Sequence, residues 1–351
     1  MKKITLLSLI FAFSLLASCG SSKGIVDYTA PEEQGLNIQK ITDENANSVL
    51  GASTELRKGN RGSGLFSNIT KTDNFALSTR GGCKSAKYYW ATGRYLAVSP
   101  DGTEIAYLNR ANKQDNIMIR KATSAGASTQ RTFRDISGFS WGADGNLYFA
   151  DYSDNEHSQI GVTSARAGNI MRQLTNNNLD SNPVLSSDGS TILFTRIDRN
   201  GPSIWSLDLH DNNLTSCARG YNPIFAGDSK EEFICVRNNT AGVSELWLVN
   251  YVKGQETLIL SDKNRGFTNP AISPDGQWIL CQGNSKSVQK KKQNLDIFAV
   301  KIDGSNFTQI TYHDAVDCCP TWSPDGQSIF FLSTRGNKDE NYNVWKMRFS
   351  L

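Results

Sequence analysis

The chain has 351 residues, 38% of them apolar and 20% charged, with 37 Lys and Arg against 34 Asp and Glu. The formal charge of +3 drops to +1 once Lys2 and Lys3 are set aside with the leader described next. A balance that near zero gives no basic field for nucleic acid.

In chain order, Lys2 and Lys3 precede a mostly apolar run from Ile4 to Leu16, then Leu16-Ala17-Ser18-Cys19. Positive start, apolar core and small residues make a secretory signal over residues 1–18. Its core is too short for a membrane-spanning helix. The Leu-Ala-Ser-Cys ending resembles the lipobox of bacterial lipoproteins, which implies cleavage before Cys19 and acyl chains on its sulfur and amino group. Several chains, at about 0.8 kcal/mol per buried methylene, make a stable anchor. Gly20 rather than Asp follows, so the expected address is the outer membrane of a Gram-negative bacterium, either leaflet. Residues 19–54 are polar with few aromatics and read as a flexible tether, a small helix around Ile38 to Leu50 being the alternative.

Residues 55–351 carry a repeat. Ser99-Pro100-Asp101-Gly102, Ser273-Pro274-Asp275-Gly276 and Ser323-Pro324-Asp325-Gly326 are its clear copies. Gly142-Ala143-Asp144-Gly145, Ser186-Ser187-Asp188-Gly189 and Ala226-Gly227-Asp228-Ser229 are weaker ones. From Asp to Asp the steps are 43, 44, 40, 47 and 50 residues. Pro presets φ for the second turn position, Asp suits the third, and Gly takes the left-handed conformation that closes a hairpin.

Unbroken apolar runs follow the turns, such as Ile192-Leu193-Phe194 and Ile329-Phe330-Phe331-Leu332. A strand with one buried face alternates, so an unbroken run is buried on both. Third strands (Ser203-Ile204-Trp205, Asn343-Val344-Trp345) and Leu-Thr or Ile-Thr endings (Gln173-Leu174-Thr175, Gln309-Ile310-Thr311) complete each unit. Six such units predict an all-β, six-bladed β-propeller with four-stranded blades. A two-sheet sandwich would not repeat one signature. The last repeat stops after its third strand, so an N-terminal strand is expected to close blade six. The segment expected there is 63–79, where Asn68-Ile69-Thr70 echoes the other endings.

Little in the sequence points to chemistry. His157, His210 and His313 fall in three blades with no metal-binding spacing, and G-x-S-x-G is absent. No catalytic residue, metal or cofactor is therefore assigned. His313-Asp314, near Asp317, reads as a solvated loop pair, with proton transfer or metal binding as the alternative. Lys286 and Lys290-Lys291-Lys292 read as a solvated loop, with an acidic partner as the alternative. Besides Cys19, an exported chain can pair Cys83, Cys217, Cys235, Cys281, Cys318 and Cys319. Cys235 and Cys281 read as buried filler, and Cys217, Cys318 and Cys319 as loop residues suited to bridges.

The full unit, from Gln309-Ile310-Thr311 through Pro320-Thr321-Trp322-Ser323-Pro324-Asp325-Gly326 to Ser333-Thr334-Arg335-Gly336, resembles the blade repeat of the TolB family over about residues 94–351. More specifically it resembles lone-propeller lipoproteins of Bacteroidetes type, with a short tether where TolB has an α/β domain. The resemblance implies a protein-interaction module that holds an envelope protein or extended peptide at one channel mouth. Prolyl-oligopeptidase-type propellers share the turn but add a hydrolase domain, for which no residues remain outside the blades.

The expected mouth is the face of the loops entering first strands. Asn182, Asn222 and Asn269 stand there before prolines, and Arg110, Arg196, Arg237 and Arg335 follow second strands. Amides and guanidinium groups suit peptide backbone and carboxylates. A propeller-type lyase for uronic-acid oligosaccharides and the binding component of a nutrient-uptake system are the alternatives.

Overall fold

The computed structural model describes residues 30–43, 93–111, 114–124, 126–151, 157–166, 170–176, 179–198, 200–286, 293–336 and 342–349. A single 3-10 turn (Pro31–Glu33) precedes strand β1 (Gln39–Lys40). Blade one comprises β2 (Leu96–Val98), β3 (Glu104–Ala111), β4 (Gln114–Lys121) and β5 (Thr129–Gln130). Blade two is β6 (Ile136–Trp141), β7 (Asn146–Asp151), β8 (Gln159–Ser164) and β9 (Arg172–Gln173). Blade three is β10 (Leu179–Leu185), β11 (Thr191–Asp198), β12 (Gly201–Asp208) and β13 (Leu214–Arg219). Blade four is β14 (Tyr221–Phe225), β15 (Glu232–Asn238), β16 (Ser244–Asn250) and β17 (Gln255–Leu260). Blade five is β18 (Phe267–Ile272), β19 (Trp278–Lys286), β20 (Gln293–Lys301) and β21 (Thr308–Gln309). Blade six has β22 (Asp317–Trp322), β23 (Ser328–Ser333) and β24 (Asn343–Arg348), with β1 as its outer strand.

Every sheet is antiparallel and four-stranded, so the described chain is an all-β propeller of six blades, as the repeat predicts. The second strands are buried on both faces: Ile192, Leu193, Phe194, Ile329, Phe331 and Leu332 expose nothing. Each blade is sandwiched between its neighbours, so the middle strands touch no solvent and need no alternation.

The turns have the predicted build. Gly102, Gly189, Gly276 and Gly326 sit at φ of 73°, 74°, 72° and 68°. Asp101 Oδ1 accepts hydrogen bonds from Ser99 Oγ at 2.6 Å and from the Thr103 N–H at 3.0 Å. Asp188, Asp275 and Asp325 repeat the pattern. These donors favour the ionised form, and they hold the Asp101 carboxyl down at about 2. Asp is therefore a turn-former here, accepting bonds that would otherwise be unmade at the hairpin tip.

The threonines that end the blades, in Leu174-Thr175, Ile310-Thr311 and Arg131-Thr132, also gain a reason. Thr132, Thr175 and Thr311 each accept, through Oγ1, the N–H of a third-strand residue: Ile117, Ile160 and Ile297, at 2.8–2.9 Å. Thr42 does the same in blade six, accepting the Val344 N–H at 2.9 Å, while the Ile41 N–H donates to the Val344 carbonyl. Gln39 stands opposite Lys346 and Lys40 opposite Trp345. An N-terminal strand thus closes the ring, but it comes from residues 39–40, and the 63–79 segment lies outside the described residues. Both segments hold an Ile-Thr pair, and composition alone does not separate them. The expected tether ran over residues 30–43, which instead belong to blade six: Leu36 and Ile38 pack against the cluster of Trp322, Phe331 and Met347.

Candidate functional site

The inner strands carry bulges between Ser181 and Val184, Tyr221 and Ile224, Thr268 and Ala271, and Cys318 and Thr321. The first bulge residue in blades three to six is Asn182, Asn222, Asn269 and Cys319, at φ of 50°, 53°, 51° and 52°. Asn enters this left-handed region more readily than other side chains.

The three amides meet. Asn182 Nδ2 donates to Asn222 Oδ1, and Asn222 Nδ2 donates to Asn269 Oδ1 at 2.7 Å. Asn269 Nδ2 donates to the Gly93 carbonyl at 3.1 Å, and the Arg94 N–H returns to Asn182 Oδ1 at 3.3 Å. These bonds form a closed circle through blades one, three, four and five, and so bar the channel at this level. Gln282 Oε1 braces it, accepting from Asn269 Nδ2 and from the Cys319 N–H. Blade two contributes Gly138, at φ 155°, where a Cβ would stand 2.7 Å from Asn182 Oδ1. Glycine is needed there so that the amide circle can close.

Between this circle and the Asp-Gly turns lies a cavity of about 310 Å³. Leu96, Val184, Leu185, Ile224, Phe225 and Ile272 give it apolar walls, and Ser187 and Gly227 stand at its turn side. Arg94 is its one cationic lining residue. Arg94 Nη2 donates to the Pro223 carbonyl, while Nη1 is buried without a hydrogen-bond partner. Burial lowers the guanidinium pKa to about 10, and no carboxylate among the described residues offsets it. At neutral pH the group is still a cation. The arrangement suits a small anion with an apolar body.

The asparagines expected at a mouth are instead buried against one another, and of the three Asn269 lines this cavity. The arginines are not brought together. Arg196 pairs bidentately with Asp180 at 2.7 and 2.9 Å and lies over Trp205. Arg237 pairs bidentately with Glu256 at 2.7 Å and lies over Trp247. Each therefore fastens its own blade. Burial still pushes the Asp180 carboxyl up despite Arg196. The Arg110 side chain lies outside the described residues.

Arg335 anchors a buried cluster. It donates to Glu33 through Nη1 and Nη2, both at 2.8 Å, and to Asp317 through Nε at 3.2 Å and Nη2 at 2.5 Å. Glu33 Oε1 also accepts the Tyr312 N–H at 2.7 Å and the His313 N–H at 3.2 Å. His313, Asp314 and Asp317 were expected in a solvated loop and are instead buried. The N-terminal segment covers them, which loop composition does not reveal. His313 Nδ1 accepts the Ala315 N–H at 2.8 Å, and burial together with Arg335 holds its pKa down. Burial first and the Asp317 charge second push the nearby Asp296 carboxyl well up.

Among the described residues no cluster of His, Cys, Asp and Glu could hold a metal ion. Cys217, Cys235, Cys281, Cys318 and Cys319 are free thiols. Cys318 and Cys319 are buried within β22 rather than placed at a loop surface, because the inner strand of blade six begins at Asp317, before them. Lys290 to Lys292, Cys19 and Cys83 lie outside the described residues. Arg94 and Glu33 went unnoticed in the sequence. Neither belongs to the repeat, whereas Ile41-Thr42 did carry its signature.

The ring of six four-stranded blades has the fold of TolB propellers. A TolB structure from Agrobacterium tumefaciens matches with a TM-score of 0.55 at 16% identity, over 74% of this chain and 90% of that one. TolB from Acinetobacter baumannii matches with a TM-score of 0.55 at 16% identity, over 76% of this chain and 68% of that one. An oligogalacturonate lyase from Vibrio parahaemolyticus matches with a TM-score of 0.51 at 10% identity, over 74% and 90%. No protein-family model matches the chain.

Among curated proteins, dipeptidyl-peptidase 5 of Porphyromonas gingivalis is 35% identical over 66 residues, 19% of this chain and 10% of that protein. An uncharacterized protein of Agrobacterium fabrum is 29% identical over 126 residues, 36% of this chain and 38% of that protein. These matches span only a tenth and about two fifths of the curated relatives' lengths.

Proposed function

We propose that this protein is a cell-envelope interaction module. Its ring receives a peptide or a projecting segment of a partner protein on the Asp-Gly face. The observation that carries this reading is the largely apolar pocket lined by Asn269 of the amide circle and by Arg94, a cation with no carboxylate partner among the described residues. The likeness to TolB propellers supports the same reading. An anchor at Cys19, acylated and inserted in the outer membrane, accounts for the leader and its Leu-Ala-Ser-Cys ending. No helix among the described residues is long and apolar enough to cross a membrane.

Cross-linking in intact envelopes followed by capture of the tagged chain tests the proposal. Ser187→Trp, at the exposed rim of the cavity, should reduce recovery of the wild-type partner several-fold. Equal recovery would remove the Asp-Gly face from the proposal. Release of unsaturated products from oligogalacturonate would replace it with the lyase alternative.

A further inference from the structure

We propose that the channel pocket binds a free carboxylate carried on an apolar stem, the C-terminal residue of an extended peptide, with Arg94 as its anchor. This deepens the interaction reading above and rests on it.

The first argument is charge. Arg196, Arg237 and Arg335 each hold carboxylates in bidentate or forked pairs. Arg94 alone among these has none, and its Nη1 is buried with no partner while the side chain lines the cavity. A buried donor left unmade is costly, and a buried cation more so. With Nη2 on the Pro223 carbonyl, Nη1 is the guanidinium nitrogen left to meet a carboxylate.

The second argument is the amide circle. The circle of Asn182, Asn222, Asn269 and the Gly93-Arg94 backbone bars the channel. A chain threading the ring would have to break it. A chain end stops there, and a C-terminus brings its charge to the place where Arg94 waits. The third is size and lining. At about 310 Å³ the cavity lies at the small end of ligand pockets, roughly 300–1,000 Å³. Its aliphatic and aromatic walls match an aliphatic terminal side chain rather than a polyhydroxylated ring.

The test uses the full-length chain with N-acetyl-leucine, its uncharged isostere N-acetyl-leucinamide, and galacturonate as probes, titrated by NMR or calorimetry at pH 7. The acid should bind about tenfold or more tightly than the amide, the size of a charge-assisted pair. Arg94→Gln should erase that preference while leaving weak binding of the amide, and Ser187→Trp should weaken both. If Arg94→Gln fails to fold, the acid-over-amide preference of the wild type decides. Equal binding of acid and amide, or no binding of either, overturns the inference, and tighter binding of galacturonate assigns the carboxylate to a sugar and overturns it too. A cross-linked partner captured equally by wild type and Arg94→Gln leaves the interaction reading standing without this one. Acid-selective binding with no partner captured does the reverse.

Discussion

Removing the Glu33 carboxylate should loosen the seam of the whole ring. Glu33 is fully buried and accepts four hydrogen bonds, two from Arg335 and one each from the Tyr312 and His313 N–H groups. In Glu33→Ala, Arg335 keeps Asp317, so the buried cation is not stranded. What is lost is one charge-assisted fork, about 2 kcal/mol, and an acceptor for the buried His313 N–H, about 1 kcal/mol. The sum of about 3 kcal/mol sits at the lower edge of measured costs for breaking a buried ion pair. For a ring of this size, at about 2 °C per kcal/mol, that is a melting temperature about 6 °C lower. Glu33→Gln keeps an acceptor oxygen and should lose about half as much.

Differential scanning calorimetry at pH 7.5 measures both, alongside chains starting at Ala30 and at Glu44. The first should melt like the parent. The second lacks Ile41, Thr42 and Glu33 and should fall further than Glu33→Ala, because the outer edge of β24 is then unpaired. Parental melting of both Glu33→Ala and the chain from Glu44 would refute the view that this segment closes the ring.

His313 should make stability fall on acidification. Its folded pKa lies below the ordinary 6.5, so the unfolded chain binds more protons as pH drops through 6.5, and the stability of the neutral form is lost. Asp296, with a raised pKa, acts with the opposite sign, its contribution fading as pH rises, so the comparison must be with a variant. His313→Asn, which keeps an acceptor for the Ala315 N–H, should flatten the loss between pH 7 and pH 5 in denaturant titrations; parallel curves would discount His313. Gly138→Ala should cost about 2 kcal/mol or more, since its Cβ meets Asn182 Oδ1 at a φ unfavourable to L-residues. Wild-type stability in urea would show that the circle yields freely. Cys19→Ala should abolish labelling by radioactive palmitate and leave the leader uncleaved; unchanged labelling would dismiss the anchor.

The repeat made the architecture legible because each blade is a local unit. Ser-Pro-Asp-Gly sets its own turn, apolar runs of four set their own double burial, and the terminal Thr bonds a strand 14 to 15 residues earlier. All of that is short-range chemistry repeated along the chain, and so is the need for a closing strand. Which segment closes the ring is not local. Thr42 and Val344 are 302 residues apart, and short-range sequence does not distinguish Ile41-Thr42 from Ile69-Thr70 as the closing pair.

The site divides in the same way. Asn182, Asn222 and Asn269 were readable as a set because each stands at one place in its repeat. Their meeting at the axis across 40 and 47 residues was decided only by ring closure. Charge was the least legible part. Arg196 and Arg237 sit at matching positions, Arg335 two residues beyond the equivalent place, and only packing shows that all three hold carboxylates. Arg94, outside the repeat, lines the cavity and has a buried guanidinium nitrogen without a hydrogen-bond partner. Sequence fixes which groups a blade carries; the tertiary ring decides which of them meet, because six faces converge on one axis and local spacing says nothing about the opposite side.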